Sequence, residues 1–175
     1  MAALLAAAIA TDEHAGGIQR IFADETNLSG AHPGIGARLD GRPSRTYVML
    51  GDGEIQEGQV WEAAMAGGFH RSDNVVAIVD YNGIQLDGFV KDIMDVAPLA
   101  EKWRAFGWHT IEIDGHDIPA IRKAFQEAEA TKGKPTCVVA HTIKGKGVSF
   151  MENNPKFHGT APTPAEVELA LQELQ

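Results

Sequence analysis

Cysteine is nearly absent from this chain. Cys137 stands alone among 175 residues, so no disulfide can close within the chain and the cytoplasm is the expected compartment. It lies in the apolar run "PTCVVAHT", where packing is the expected use of a small thiol; a reactive one would want a positive, partly exposed setting. Basic residues are also in deficit: 15 Lys and Arg face 24 Asp and Glu, a formal charge of −9. That balance argues against nucleic acid as the main partner and makes local positive patches the informative feature. Long apolar runs are missing too. The opening "MAALLAAAIAT" lacks a positively charged start and falls short of the roughly twenty residues of a membrane span, so a helix packed on a core or a partner is expected there, with no membrane role. Internal repeats are lacking, and the only low-complexity tract is that alanine-rich start.

What is present is alternation. Four short runs, "RTYVMLG" (45–51), "VVAIVDY" (75–81), "WHTIEID" (108–114) and "TCVVAHT" (136–142), are rich in β-branched or aromatic residues and are mostly bounded by Gly, Asp or Pro, as strands are. Between them, "QEGQVWEAAMAGGFHR", "MDVAPLAEKWRAFG" and "DIPAIRKAFQEAEATKG" carry helical spacing, the last opening with Asp117 before Pro119 and closing at Gly133. The order predicts an α/β fold, a parallel β-sheet with helices on both faces. Its length suits a single domain, 1–175. Residues 1–36 form an atypical N-terminal segment of weak helical character without a clear strand. At the other end, "TPAE" spells a helix start with Thr163 as N-cap.

In parallel sheets of this kind ligands sit outside the carboxyl ends of the strands. Two polar loops fall there, Gly51-Asp52-Gly53 and Asp80-Tyr81-Asn82. Flanking glycines let the chain turn and let a ligand approach the backbone. The Asp52 carboxylate, the Asn82 carboxamide and the main-chain carbonyl of Ile84 are hard oxygen donors that suit Mg²⁺ or Ca²⁺ completed by phosphate oxygens and water. Taken singly, Asp52 reads as a helix cap and Asn82-Gly83 as a turn. Their pairing at two successive strand ends favours the ligand site.

Those residues carry a resemblance. "GDG…VDYNG" is similar to the thiamine-diphosphate fingerprint, and the chain from about Ala37 onward, through "KGKPTCVVAHTIKGKGVSFMENNPKFHG", resembles the amino-terminal section of transketolases, particularly those made as two polypeptides. The resemblance implies a diphosphate-binding domain in which Asp52, Asn82 and Ile84 hold the metal and Gly53 and Asn82 meet the diphosphate. It further implies that Lys144 contacts the cofactor and that His158 lies near both the diphosphate and the substrate carbonyl. Chemically, a lysine is a compact charge for phosphate and a histidine can shuttle protons near neutral pH. Glu57 matches an acid that pairs with one from a partner chain and links two active sites; equally, it reads as a first-turn helix carboxylate.

The implied activity is two-carbon ketol transfer between sugar phosphates, as in the pentose phosphate pathway, by a homodimer. No pyrimidine-binding domain is expected in a chain of this length, so a separate C-terminal transketolase subunit is implied. The upstream histidines and "GSLGQG"-like helix start of the family have no match in "DEHAGG" or "GAHPGIG", and His14 and His32 receive no role. A catalytically incomplete or non-enzymatic thiamine-diphosphate-binding module stands as the alternative. Another enzyme of the same cofactor class is a third reading, disfavoured by "KGKGVSFMENNPKFHG". His70, His109, His116 and His141 read as structural histidines, and Trp61, Met65 and Phe69 as a packing face.

Overall fold

A computed structural model describes residues 31–86 and 88–175 of the chain. The expected N-terminal helix and His14 lie outside the described residues. The first described element is helix α1, Ala31–Leu39, so the end of the segment without a clear reading is helical. Its "PG" does not turn the chain. Instead Gly34 sits where a Cβ would come 2.6 Å from Val75 Cγ2, so the missing side chain lets α1 lie closely on the sheet.

Strand β1 (Thr46–Gly51) leads through a 3₁₀ turn at Glu54–Gln56 into α2 (Gly58–Phe69) and then β2 (Val75–Tyr81). A small antiparallel hairpin follows, β3 (Ile84–Gln85) with β4 (Gly88–Phe89), then the single turn α3 (Val90–Ile93) and helix α4 (Leu99–Ala105). The chain continues with β5 (His109–Asp114), α5 (Ile118–Ala130), β6 (Thr136–His141), a second 3₁₀ turn at Pro155–His158 and α6 (Pro164–Glu173). Helix spacing through "MDVAPLAEKWRAFG" overreaches: α4 begins at Leu99, after Pro98, because proline disfavours helical conformation in the residue before it.

Among the described residues, four parallel strands form one sheet in the order β1-β2-β6-β5. The fold class expected from the alternation is therefore the one observed. One face is covered by α2 and α4, with Val48, Leu50, Val60, Ala64, Val79, Trp103 and Trp108 in a single cluster. The opposite face packs against α5 through Val76, Ile78, Ile121, Phe125 and Val138. Removing each such side chain from water is worth roughly 1.5–3 kcal/mol. Cys137 is fully buried within β6 and burial pushes its thiol well above the ordinary range, in keeping with a packing role.

The packing stripe read for α2 holds only in part. Trp61 lies 5.8 Å from Trp103 and 5.9 Å from Phe106, ring to ring, but Met65 and Phe69 are exposed. The helix turns Val60, Ala63, Ala64 and Gly67 to the sheet, since small residues allow the closer approach. None of the described helices is long and apolar enough to cross a membrane.

Candidate functional site

The register of the sheet sets the site. Gly51 pairs with Asp80 and Tyr81 with His141, so β1, β2 and β6 end together at one edge. Asp52 follows β1 directly and is only 1% exposed. Its Oδ2 accepts a hydrogen bond from the Gly83 amide at 2.5 Å, while Oδ1 is buried with no partner among the described residues. Burial raises its pKa from 3.8 to about 6; the Gly83 amide works against that rise and the nearby charge of Asp80 adds to it. A buried carboxylate with one free oxygen is a group that a cation would stabilise.

Asn82 and Gly83 make the turn that delivers this amide. Asn82 Oδ1 accepts from Ile84 N at 3.0 Å, and Gly83 has φ +77°, a left-handed conformation that favours glycine. The bland reading of Asn82-Gly83 as a turn is thus correct, and the turn itself binds the two loops together. Val90 N donates to the Gly83 carbonyl at 2.9 Å. The hairpin pairs Ile84 with Phe89 and Gln85 with Gly88.

Gly53 has an ordinary φ of −70°. Space, not conformation, demands glycine there: a Cβ would stand 2.7 Å from Gln85 Cβ. Asp80 is held by Thr142, whose hydroxyl donates to its Oδ1, and Thr142 N donates to the Tyr81 carbonyl at 3.2 Å. These two bonds tie the exit of β6 to the exit of β2. Desolvation raises the Tyr81 hydroxyl pKa, helped by the charges of Asp95, Asp52 and Glu112.

Beyond β6 the glycine-rich segment folds back on itself. The Lys144 carbonyl accepts from Asn153 N at 2.9 Å, and Gly145, at φ +76°, leaves no room for a Cβ, which would lie 2.5 Å from the Met151 carbonyl. Lys144 is half-buried, whereas Lys146 and Lys156 face Glu152 and Glu166 at 3.8 and 3.5 Å. The Pro155–His158 turn, capped by the Asn154 side chain, packs on β3 and carries a buried His158 Nδ1 without a hydrogen-bond partner among the described residues.

Asp52, Gly53, Asn82 and Ile84 are therefore brought together, and His158 adjoins their hairpin. Glu57 is not part of this cluster. It is exposed at the N-cap of α2, where its carboxylate accepts from the Gln59 side chain. His116 Nε2 accepts from Ile143 N at 2.8 Å, and His109 and His141 face Glu127 and Glu112 at 2.7 and 3.3 Å, in keeping with structural roles. Sequence reasoning missed Gln85 and the Asp80–Thr142 bond. Gln85 sits two positions before the invitingly polar Asp87-Gly88, and nothing in its local pattern separates it from an exposed turn residue.

The family of transketolase thiamine diphosphate-binding domains matches residues 19–174, beginning upstream of the Ala37 boundary suggested by the motifs. The chain is 43% identical over 141 residues to the 6-deoxy-6-sulfo-D-fructose transketolase subunit SqwG of Clostridium sp. (strain MSTE9), a match covering 81% of this chain and 51% of that protein. It is 40% identical over 140 residues to an apulose-4-phosphate transketolase subunit of Phocaeicola vulgatus, covering 80% and 50%. Among solved structures, transketolase from Campylobacter jejuni superposes with a TM-score of 0.73 at 29% identity, covering 83% of this chain and 23% of that one. The chain thus spans about half the length of the curated subunits it matches. With the fold, the two strand-end loops and these matches in agreement, the chain belongs to the thiamine diphosphate-binding domain family of transketolases.

Proposed function

We propose that this chain is the amino-terminal subunit of a split transketolase, binding Mg²⁺ and the diphosphate of thiamine diphosphate for two-carbon ketol transfer between sugar phosphates. The observation that carries the reading is Asp52: buried, tied to Gly83 through one oxygen and unpartnered at the other. In this reading Asp52, Asn82 and the Ile84 carbonyl hold the metal, and Gly53 N–H and Asn82 meet the diphosphate. Ca²⁺ would suit the same oxygen donors.

When bound, the cofactor supplies the electron sink for carbanion chemistry. The chain's own residues bind and orient. Lys144 gives a positive charge to the phosphate groups from its folded-back loop, and His158 holds a hydrogen bond or a proton beside the substrate carbonyl. Glu57, exposed on α2, is available to a second copy of the chain, and a homodimer is part of the proposal. Two relatives are named as transketolase subunits, which supports a separate pyrimidine-binding subunit completing the enzyme.

Calorimetric titration of the chain with thiamine diphosphate, with and without Mg²⁺, tests the first step. Binding that requires Mg²⁺ is expected. Failure to bind both alone and with a co-expressed pyrimidine-binding subunit would sink the reading.

A further inference from the structure

Helix α6 is docked chiefly by polar side chains. None of its residues is buried, and Val167, Leu169 and Leu171 are exposed, so apolar packing alone does not account for its place. Contacts at its two ends do. At the start, Glu166 Oε1 faces Lys156 Nζ of the Pro155–His158 turn at 3.5 Å. At the end, Glu173 engages Ser149 with both carboxylate oxygens: Oε2 accepts from Ser149 N at 2.5 Å and Oε1 from the Ser149 hydroxyl at 2.8 Å. Bonds to an ionised acceptor are stronger than neutral ones, and these two lower the Glu173 pKa.

What Glu173 grips is the middle of the loop that carries Lys144. Between residues 143 and 154 the backbone makes successive turns: Lys146 N donates to the Ile143 carbonyl, Val148 N to that of Gly145 and Met151 N to that of Val148, while Asn153 N closes the loop on the Lys144 carbonyl. Val148 is the one buried side chain in it. A loop with so little burial belongs to the low-stability end of a fold, and its shape depends on tethers. Ser149 adjoins Val148, and Leu174 Cδ2 lies 3.0 Å from where a Cβ on Gly147 would stand. The last turn of α6 thus closes over the loop.

We propose that Glu173 is a positioning residue for Lys144: by holding Ser149 it keeps loop 144–153 closed before any ligand arrives. A loop that is only fractionally closed binds its ligand more weakly in proportion to that fraction. The sign of the effect is diagnostic. Acting through charge alone, an anionic Glu173 would repel phosphate, and removing it would tighten binding; acting as a tether, its removal weakens binding. That Lys144 meets a diphosphate rests on the function proposed above; the hold of Glu173 on the loop does not.

Hydrogen exchange of the full chain without cofactor reads the loop directly. In Glu173→Ala the amides of Val148, Met151 and Asn153, none of which bonds to Glu173, are expected to exchange about ten times faster, the scale set by lost hydrogen bonds to a charged group. The amides of β2 and β6 keep their protection. Unchanged exchange in the loop overturns the proposal, as does an equal loss across the sheet, which would make Glu173 a support of the whole fold. Calorimetry with inorganic diphosphate and Mg²⁺ reads the effect on Lys144. Glu173→Ala is expected to weaken binding about fivefold, as coupled neighbours do, and Glu173→Gln, which keeps an acceptor oxygen for Ser149, to weaken it less. In a Lys144→Ala background the same Glu173→Ala change should cost nothing further. Tighter binding in Glu173→Ala, or equal losses in the two backgrounds, overturns the positioning role. A wild-type chain that binds no diphosphate counts against the proposed function alone, and exchange then decides whether Glu173 holds the loop.

Discussion

The Gly83 amide donates to Asp52 Oδ2 at 2.5 Å across 31 positions of sequence, joining the loop after β1 to the loop after β2. This bond engages one carboxylate oxygen and leaves the other buried and unpartnered among the described residues. Asp52→Ala is therefore expected to abolish metal and thiamine diphosphate binding together, as measured by calorimetry. A variant that kept wild-type cofactor affinity would remove Asp52 from the site.

The same burial predicts a pH dependence of stability. Asp52 binds its proton more tightly when folded, with a pKa of about 6 against 3.8 for an unperturbed aspartate. Folded protein holds more protons than unfolded between those values, so this group's contribution is favourable at low pH and is lost as pH rises toward 6 and beyond. The loss amounts to about 3 kcal/mol at about 1.4 kcal/mol per pH unit. Asp52→Asn removes the titration and keeps an acceptor for Gly83. Denaturant unfolding should show the asparagine variant gaining on wild type from pH 4 to pH 7.5. Mg²⁺ should narrow that gap if it binds at Asp52; equal pH profiles for the two proteins would refute the assignment of the shift.

Two glycines separate space from conformation. Gly53→Ala puts a methyl group 2.7 Å from Gln85 Cβ, and overpacking of that kind costs about 1–3 kcal/mol. At Gly58, the first residue of α2, a Cβ meets nothing within 4 Å. Gly58→Ala should instead stabilise by about 0.4–1 kcal/mol, through the lower entropy of the unfolded chain. Urea midpoints moving in opposite directions are the expected result; a shift of the same sign in both would contradict the packing drawn around Gly53.

How far the sequence disclosed this arrangement depends on the length scale of each contact. β1, β2, β5 and β6 were legible within a residue or so because apolar β-branched runs stop at Gly, Asp or Pro. The α6 start at Thr163 was legible because a capping box is a local chemical unit, and both of its reciprocal bonds form. The two-residue strands β3 and β4 carry no readable period. Met65 and Phe69 share a helical spacing with Trp61, yet their exposure depends on which face of α2 the sheet accepts. β3 and the Pro155–His158 turn are neighbours only because the chain returns after β6, a tertiary fact that no local pattern records.

Lys144 and Lys146 allow a final discrimination, because they stand two positions apart in one loop but differ in company. Lys146 Nζ faces Glu152 Oε1 at 3.8 Å, so part of its charge is already answered. Lys144 is half-buried with its carbonyl fixed by Asn153, and no ion pair to its amine is found among the described residues. A charge so placed is open to an anionic ligand. Hydrogen bonds to charged groups are worth about 1.5–3 kcal/mol, so Lys144→Ala should weaken Mg²⁺-dependent binding of inorganic diphosphate by at least about tenfold. Lys146→Ala should change it little, because a partly paired surface charge contributes about 1 kcal/mol or less. Equal losses in the two variants, read by calorimetry at fixed ionic strength, would point to the loop's bulk charge and leave Lys144 without a specific place at the phosphate.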